Sequence, residues 1–320
     1  MIIFKLPYHE TVYTTDNDST DCFVNFFSFD STQKICFNGK IFPAKNSCFG
    51  HFDWNPTAKH SKDSFEEKEE YLERLERTIK LIKNTGIPKL VISRRKKISY
   101  SEICVEGTFT NLCRNYPNAF VYAFKNEDEV WCGAFSELLG KFDKKTGIFE
   151  TMSLAGTLSL KDDWREKELD EQQTVTDYIA SILTAYSKEV IQSEITDHIS
   201  GNIKHLRTDL TAKINAEQLD RLIGELHPTP AVCGVPVDFC KEAIQKIEKY
   251  PREYYAGYSR IEMEDTVYFF VNLRCAKIWQ DHAALFVGGG ITAQSSPEIE
   301  WNETELKSQA IARNLAAKAF

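Results

Sequence analysis

The sequence predicts an α+β fold of antiparallel sheets packed together and flanked by helices, on three observations. Strand-length apolar runs come in clusters, at 120–124, 130–135, 266–278 and 283–287, with single helices between the clusters instead of one after every strand. Helical spacing of apolar residues recurs in only a few stretches. No repeat period, low-complexity tract or Pro/Ser-rich linker interrupts the 320 residues, so one domain over 1–320 is expected.

In chain order, residues 1–62 alternate short apolar runs (23–29 and 34–37) with Asn, Asp, Gly and Pro, the pattern of irregular β structure. Ser64 followed by Glu67 reads as a capping box that opens a helix carrying Leu72, Leu75, Ile79 and Ile82, closed by Gly86 and Pro88. A short strand starts at Lys89. A second helix is expected over 167–192, with Val175, Ile179, Ile182 and Tyr186 on one face. A third should start with Pro236 in its first turn and present Phe239, Ala243, Ile244 and Ile247. The run 266–278 reads as one strand covered on both faces, and the last helix begins after Ser296 and Pro297.

Composition narrows the function classes. With 42% hydrophobic and 27% charged residues the chain is an ordinary globular sequence, and a net charge of -8 argues against nucleic acid or an anionic membrane as partner. The first ten residues lack a basic stretch leading into an apolar one, and no window approaches ~18 uncharged apolar residues, so a cytoplasmic protein is expected. Nine scattered cysteines without a CxxC pair point to reduced thiols, with neither a disulfide framework nor a zinc site.

The chemistry-bearing residues concentrate in the C-terminal third. Arg274, on a doubly covered strand, must meet a carboxylate or phosphate from the protein or from a ligand. Gly288, Gly289 and Gly290 after an apolar run form either an anion-binding nest or a plain bulge or turn. In the last helix Glu300, Glu303, Lys307 and Ile311 share a stripe, and Glu171 begins the stripe of the second helix. Two helices thus aim carboxylates from the edge of a core face. Such carboxylates repel unless a proton or a cation lies between them, and an oxygen-only site suits Mg²⁺.

These segments resemble the chorismate-utilising enzymes, and within them the isochorismate synthases of the menaquinone type. The resemblance is carried by Lys89-Leu-Val-Ile-Ser-Arg94, Ser136-Glu137, Leu154-Ala-Gly-Thr157, Lys167-xxx-Glu171, His205-Leu-Arg207, the block from His227 to Pro236, Arg252-Glu-Tyr-Tyr-Ala-Gly257, Leu273-Arg-Cys-Ala-Lys-Ile278, Gly288-Gly-Gly-Ile291 and Ser296-Pro-xx-Glu-xx-Glu303-xxx-Lys307. They run in family order over about residues 88 to 310. The resemblance implies an anthranilate-synthase-like fold and a Mg²⁺-dependent conversion of chorismate to isochorismate, by water addition at C2 with loss of the C4 hydroxyl.

It also implies roles. Glu171 and Glu303, with Glu300 beside them, match the Mg²⁺ ligands. Tyr255 and Arg274 match the grip on the enolpyruvyl carboxylate, while Thr157, the backbone of Gly288, Gly289 and Gly290, and Lys307 seat the anion. Lys89 matches the general base, which needs a neutral lysine. Glu137 matches the general acid, which needs a protonated carboxyl, and His205 lies near the C4 oxygen. Lys89 and Ala155 point to water over ammonia as nucleophile, so no glutamine amidotransferase partner is expected, and a monomer or weak homodimer suffices. Salicylate synthase is the nearest rival. Aminodeoxychorismate or anthranilate synthase component I, or a catalytically reduced chorismate-binding subunit, are the others. Leu158 and Gln172 depart from the commonest pattern in a way shared by menaquinone-type members. Phe135 stands before Ser136-Glu137 where Ser-Pro-Glu is common. Arg260 replaces a small residue and would put a long cation near the substrate carboxylates, and the part before Lys89 is short.

Overall fold

The computed structural model describes residues 1–44, 53–54, 56, 65–200 and 203–317. The N-terminal part supplies five short strands, β1 (Ile2–Lys5), β2 (Val12–Thr15), β3 (Val24–Phe27), β4 (Lys34–Phe37) and β5 (Ile41–Pro43). Helix α1 (Lys68–Thr85) leads into the long β6 (Lys89–Ser99), followed by β7 (Ile103–Cys104) and α2 (Val105–Asn115). Four strands come next: β8 (Phe120–Asn126), β9 (Glu129–Phe135), β10 (Leu138–Asp143) and β11 (Ile148–Ser159). Helix α3 (Glu166–Tyr186) precedes β12 (Val190–Gln192), β13 (Thr196–Ser200) and β14 (Ile203–Lys213). The last third holds α4 (Leu219–Leu226), β15 (Gly234–Val235), α5 (Val237–Ile247), β16 (Tyr258–Glu262), β17 (Thr266–Val271), β18 (Cys275–Ile278), β19 (His282–Ile291), α6 (Pro297–Ala312) and β20 (Ala316–Ala317).

Two large sheets result, antiparallel in their strand pairings. The first runs β15-β6-β19-β18-β9-β8-β1-β2-β5 and the second β12-β14-β11-β10-β17-β16-β3-β4, with β13 also on β14. Their inner faces meet through aromatics: the ring of Phe26 on β3 lies 4.7 Å from Tyr122 and 4.9 Å from Phe124 on β8, and Phe120 stacks on Phe270 at 4.8 Å. Burying such rings face to face is the main apolar driving force for joining the sheets. The outer face of the first sheet carries a second cluster, where Phe109 and Leu112 of α2 and Ile311 of α6 cover Val121, Cys132, Ala276 and Leu285.

The run 266–278 is not one strand. It breaks at Asn272, Leu273 and Arg274, so that β17 belongs to the second sheet and β18 to the first. Arg274 takes a left-handed backbone, φ 47°, which turns the chain from one sheet to the other. The chain makes the reverse passage at Ser136 and Glu137, between β9 and β10. Because β9 pairs β18 and β10 pairs β17, the two crossovers lie side by side. They are tied by Ala134 N–H to Arg274 O at 3.2 Å and Val271 N–H to Glu137 O at 3.1 Å.

Other expectations are corrected. Ser64 lies outside the described residues, and α1 is capped at Glu67, whose backbone N–H meets Glu70. The second helix ends at Tyr186 instead of 192. Val190, Ile191 and Gln192 pair with β14, because edge pairing satisfies their backbone groups better than an unpacked helix end would. Pro236 is the cap of α5 and not its first turn, and Phe239 faces solvent while Cys240, Ala243 and Ile244 are buried. Cys22 and Cys36 are joined as a disulfide, since the β3–β4 hairpin brings their Cα atoms to 5.8 Å. Residue spacing alone does not reveal such a hairpin. No helix among the described residues is long and apolar enough to cross a membrane.

Candidate active site

The seam between the sheets opens into one cavity. Each crossover contributes a charged side chain to it, Glu137 from one and Arg274 from the other. The start of β6 contributes Lys89, β11 contributes Thr157, β14 contributes His205, and the segment before β16 contributes Tyr255. Helices α3 and α6 supply Glu171, Glu303 and Lys307, and β19 supplies Gly288, Gly289 and Gly290. Twelve of the thirteen residues singled out from the sequence therefore line one space. Glu300 is the exception: it is buried behind the wall, where its carboxylate accepts from Ser295 Oγ at 2.6 Å.

The three glycines sit in regular strand paired with Ser93, Ile92 and Val91 of β6, and none has a left-handed φ. They form neither a nest nor a turn. Side chains there would crowd the groups beside them. A Cβ on Gly290 would stand 2.4 Å from Lys89 Cε and 3.0 Å from a Glu171 oxygen, and one on Gly288 would meet the Tyr255 hydroxyl at 2.9 Å. A Cβ on Gly289 would lie 3.3 Å from Glu300 Oε2 and 3.8 Å from Glu303 Oε1, so carboxylates gather over this strand from α6. Strand β18 stops pairing at Phe286, which leaves the glycine edge of β19 free to face the cavity.

Charges inside are arranged in pairs. Lys89 is ion-paired with Glu171, and Lys307 meets Glu303 at 2.7 Å while donating to Gly288 O at 3.0 Å. Burial pushes the Glu171 carboxyl up, but Lys89 outweighs it, with Lys167 and Lys307, and holds it below the usual range. Glu300 goes the other way, raised by burial and by Glu303 beside it. Glu137 is the most shifted carboxyl of the cavity: burial pushes it up to about 7 against the opposing pull of Lys89, Arg274 and Lys307.

Arg274 meets an imidazole. Its Nη2 lies 3.0 Å from Nε2 of His205, whose Nδ1 is 2.8 Å from Gly156 O and 3.2 Å from Thr157 Oγ1. Burial first and Arg274 second hold the His205 ring well below its ordinary pKa, so it is neutral.

Two departures from family pattern prove structural. Arg260 faces away from the cavity, paired with Glu262 at 2.7 Å and Asp220 at 3.8 Å, because it lies on the strand face opposite the seam. Gln172 is on the buried face of α3 and donates to Ser153 Oγ at 2.8 Å and Thr208 Oγ1 at 3.2 Å. Sequence reasoning missed Glu168, which lines the cavity with Lys167. Its position three residues before Glu171, on the same helix face, was the available signal.

Glu171 and Glu303 are the carboxylates that could hold a divalent cation here. Both face the cavity, with Glu300 behind them, its carboxyl raised first by burial and then by the like charge of Glu303. Among the described residues no three His, Cys, Asp or Glu side chains are already drawn to ligand spacing, since the two lysines cross the carboxylates.

Comparison with known proteins agrees with this geometry. The model of the chorismate binding enzyme family matches residues 45–316. The vibriobactin-specific isochorismate synthase of Vibrio cholerae is 26% identical over 261 residues, 76% of this chain and 66% of that protein. The chain thus spans just under two thirds of that relative's length. Among solved structures, MenF, the menaquinone-specific isochorismate synthase from Escherichia coli, superposes with TM-score 0.78 at 19% identity, covering 98% of this chain and 88% of the other. Anthranilate synthase component I from Streptococcus pneumoniae gives TM-score 0.69 at 19% identity, covering 81% and 61%. The fold is therefore the one expected, and the chain belongs to the chorismate binding enzyme family.

Proposed function

We propose that the protein is a Mg²⁺-dependent isochorismate synthase. The observation that carries this is the pairing, in one cavity, of Lys89 with a buried Glu137 pushed up to about 7. A carboxyl shifted that far holds its proton near neutral pH and can pass it to a departing hydroxyl. In this reading Lys89, once parted from Glu171 and deprotonated, takes a proton from water as its oxygen bonds to C2 of chorismate. Both ring double bonds shift, C1–C2 to C1–C6 and C5–C6 to C4–C5, and the C4 hydroxyl leaves with the Glu137 proton as a second water. The substrate's atoms balance as an isomerisation, and the proton gained by Lys89 must return to Glu137, through solvent, before the next turnover. Lys89 must first be parted from Glu171, so the ion pair is the resting arrangement of the base. Neutral His205 holds Arg274 in place, Arg274 and Tyr255 bind the enolpyruvyl carboxylate, and Thr157, the glycine backbone and Lys307 seat the anion.

The Mg²⁺ would be held by Glu171 and Glu303, with Glu300 beside them, and would supply positive charge for the ring carboxylate. A net charge of -8 is no obstacle to a small dianion, because local cations set the field where it binds. Water is the nucleophile in this reading because Lys89 is a base lysine and Ala155 leaves the ammonia-type signature absent, so the chain works without an amidotransferase, in the cytoplasm, as a monomer or weak dimer. Menaquinone synthesis as destination rests on Leu158 and Gln172, and loss of menaquinone in a deletion strain would test it.

The reaction itself is tested by incubating purified protein with chorismate and Mg²⁺, with and without ammonium. Isochorismate without pyruvate is expected. Salicylate with pyruvate, anthranilate or aminodeoxychorismate would reassign the activity, and chorismate binding without turnover would mark a reduced subunit.

A further inference from the structure

We propose that Ser136 and His198 form a positioning pair that aims Glu137, and that the β13–β14 hairpin thereby holds both crossovers of the site; the inference rests on the functional reading above. Glu137 has no side-chain hydrogen bond to another described residue, so its direction is set by its backbone and packing. The residue before it is tied down. Ser136 Oγ lies 2.8 Å from Nε2 of His198, a ring only 8% exposed.

His198 is on β13, which among the described strands pairs with β14 alone, and its Cα partner there is His205. Directly opposed residues in an antiparallel pair project to the same face. The two rings therefore reach the seam together, His205 to Arg274 on one crossover and His198 to Ser136 on the other.

The charges around the pair favour a neutral ring. Burial, then Arg207 and Arg274, lower His198 to about 4 against the pull of Asp209. A neutral imidazole can stay bonded to a hydroxyl through the working pH range. Glu137 faces Lys89 of β6, Arg274 of the other crossover and Lys307 of α6. Lost anchorage at Ser136 would alter its distance from all three.

The test is steady-state kinetics with chorismate across pH on the full chain carrying His198→Phe, His198→Gln or Ser136→Ala. His198→Phe and Ser136→Ala should each lower kcat by about tenfold with KM changed less than about twofold, since small misplacements of a proton donor act on the chemical step. The apparent pKa of the acid form should move in both, and His198→Gln, which keeps a hydrogen-bonding group, should recover most of kcat. Ser136→Ala removes one hydroxyl and keeps the test open if the larger change fails to fold. Wild-type kcat and pH profile in Ser136→Ala, or a loss confined to KM or melting temperature, overturns the pair. A wild-type chain that yields no isochorismate removes the functional reading, and the pair with it.

Discussion

Arg274 Nη2 lies 3.0 Å from His205 Nε2, and this contact fixes the tautomer of the histidine. A guanidinium only donates, so Nε2 must accept and the proton must sit on Nδ1, which donates to Gly156 O at 2.8 Å. His205 then meets the cavity as a neutral ring. Nitrogen NMR of the labelled protein should show an Nδ1–H tautomer that does not titrate between about pH 5 and 8, the range in which a free histidine changes charge. A ring titrating there would contradict the assignment.

Glu137 should oppose stability where it serves chemistry. The unfolded carboxyl ionises once the pH passes its usual value, whereas the folded one keeps its proton until about 7. Between those values the native state binds more protons, so stability falls as pH rises, by roughly 3–4 kcal/mol once both are passed. Glu137→Gln removes that loss. The variant should bind chorismate without turnover and melt higher than wild type at about pH 8, with the difference shrinking toward about pH 4. An unchanged difference across pH would mean that Glu137 is not held protonated.

The three glycines should respond unequally to Ala. At Gly290 the new Cβ would stand 2.4 Å from Lys89 Cε, and at Gly288 it would be 3.0 Å from Ile92 O as well as pressing on Tyr255. Both variants should lose about a hundredfold in kcat/KM, as misplaced site groups do. Gly289→Ala meets only carboxylate ends, the nearer at 3.3 Å, and should retain most turnover while weakening the response to Mg²⁺. Equal losses at all three would favour a general effect on the strand.

Glu303→Gln tests the proposed metal site by binding as well as rate. Removing one charge should raise the Mg²⁺ concentration for half-maximal activity and reduce Mg²⁺ binding in calorimetry by about tenfold or more. An unchanged metal response would move the site elsewhere. Lys89→Ala should bind chorismate and not turn it over. A near-normal rate would remove Lys89 from the mechanism.

Much of the cavity was readable because its residues sit in short motifs whose chemistry is local: Glu171 heads a helix stripe, Glu303 and Lys307 are one turn apart, and the triple glycine stands out after an apolar run. The seam was not readable. The alternation from Val267 to Ala276 continues through the crossover without Gly or Pro, so one strand was the natural reading, and only pairing to two different sheets shows the break at Arg274. The same lack of long-range information hid the Arg274–His205 contact and the Ser136–His198 contact, each joining residues more than 60 apart in sequence. The glycines were read as either an anion nest or a plain bulge or turn, and the fold instead holds them in regular strand, where a side chain would meet Lys89, Glu171 or Tyr255. Arg260 was misplaced because nothing in its neighbours shows which strand face turns toward the seam.

The central claim is that Lys89 delivers water to C2 while Glu137 protonates the departing C4 hydroxyl. Running the reaction in heavy-oxygen water and locating the label by mass spectrometry tests it most directly. Isochorismate labelled at the new C2 hydroxyl, with no label in unreacted chorismate at early times, is the predicted result. Unlabelled isochorismate would mean that the hydroxyl migrates within the substrate, and that outcome would contradict the roles assigned to both residues.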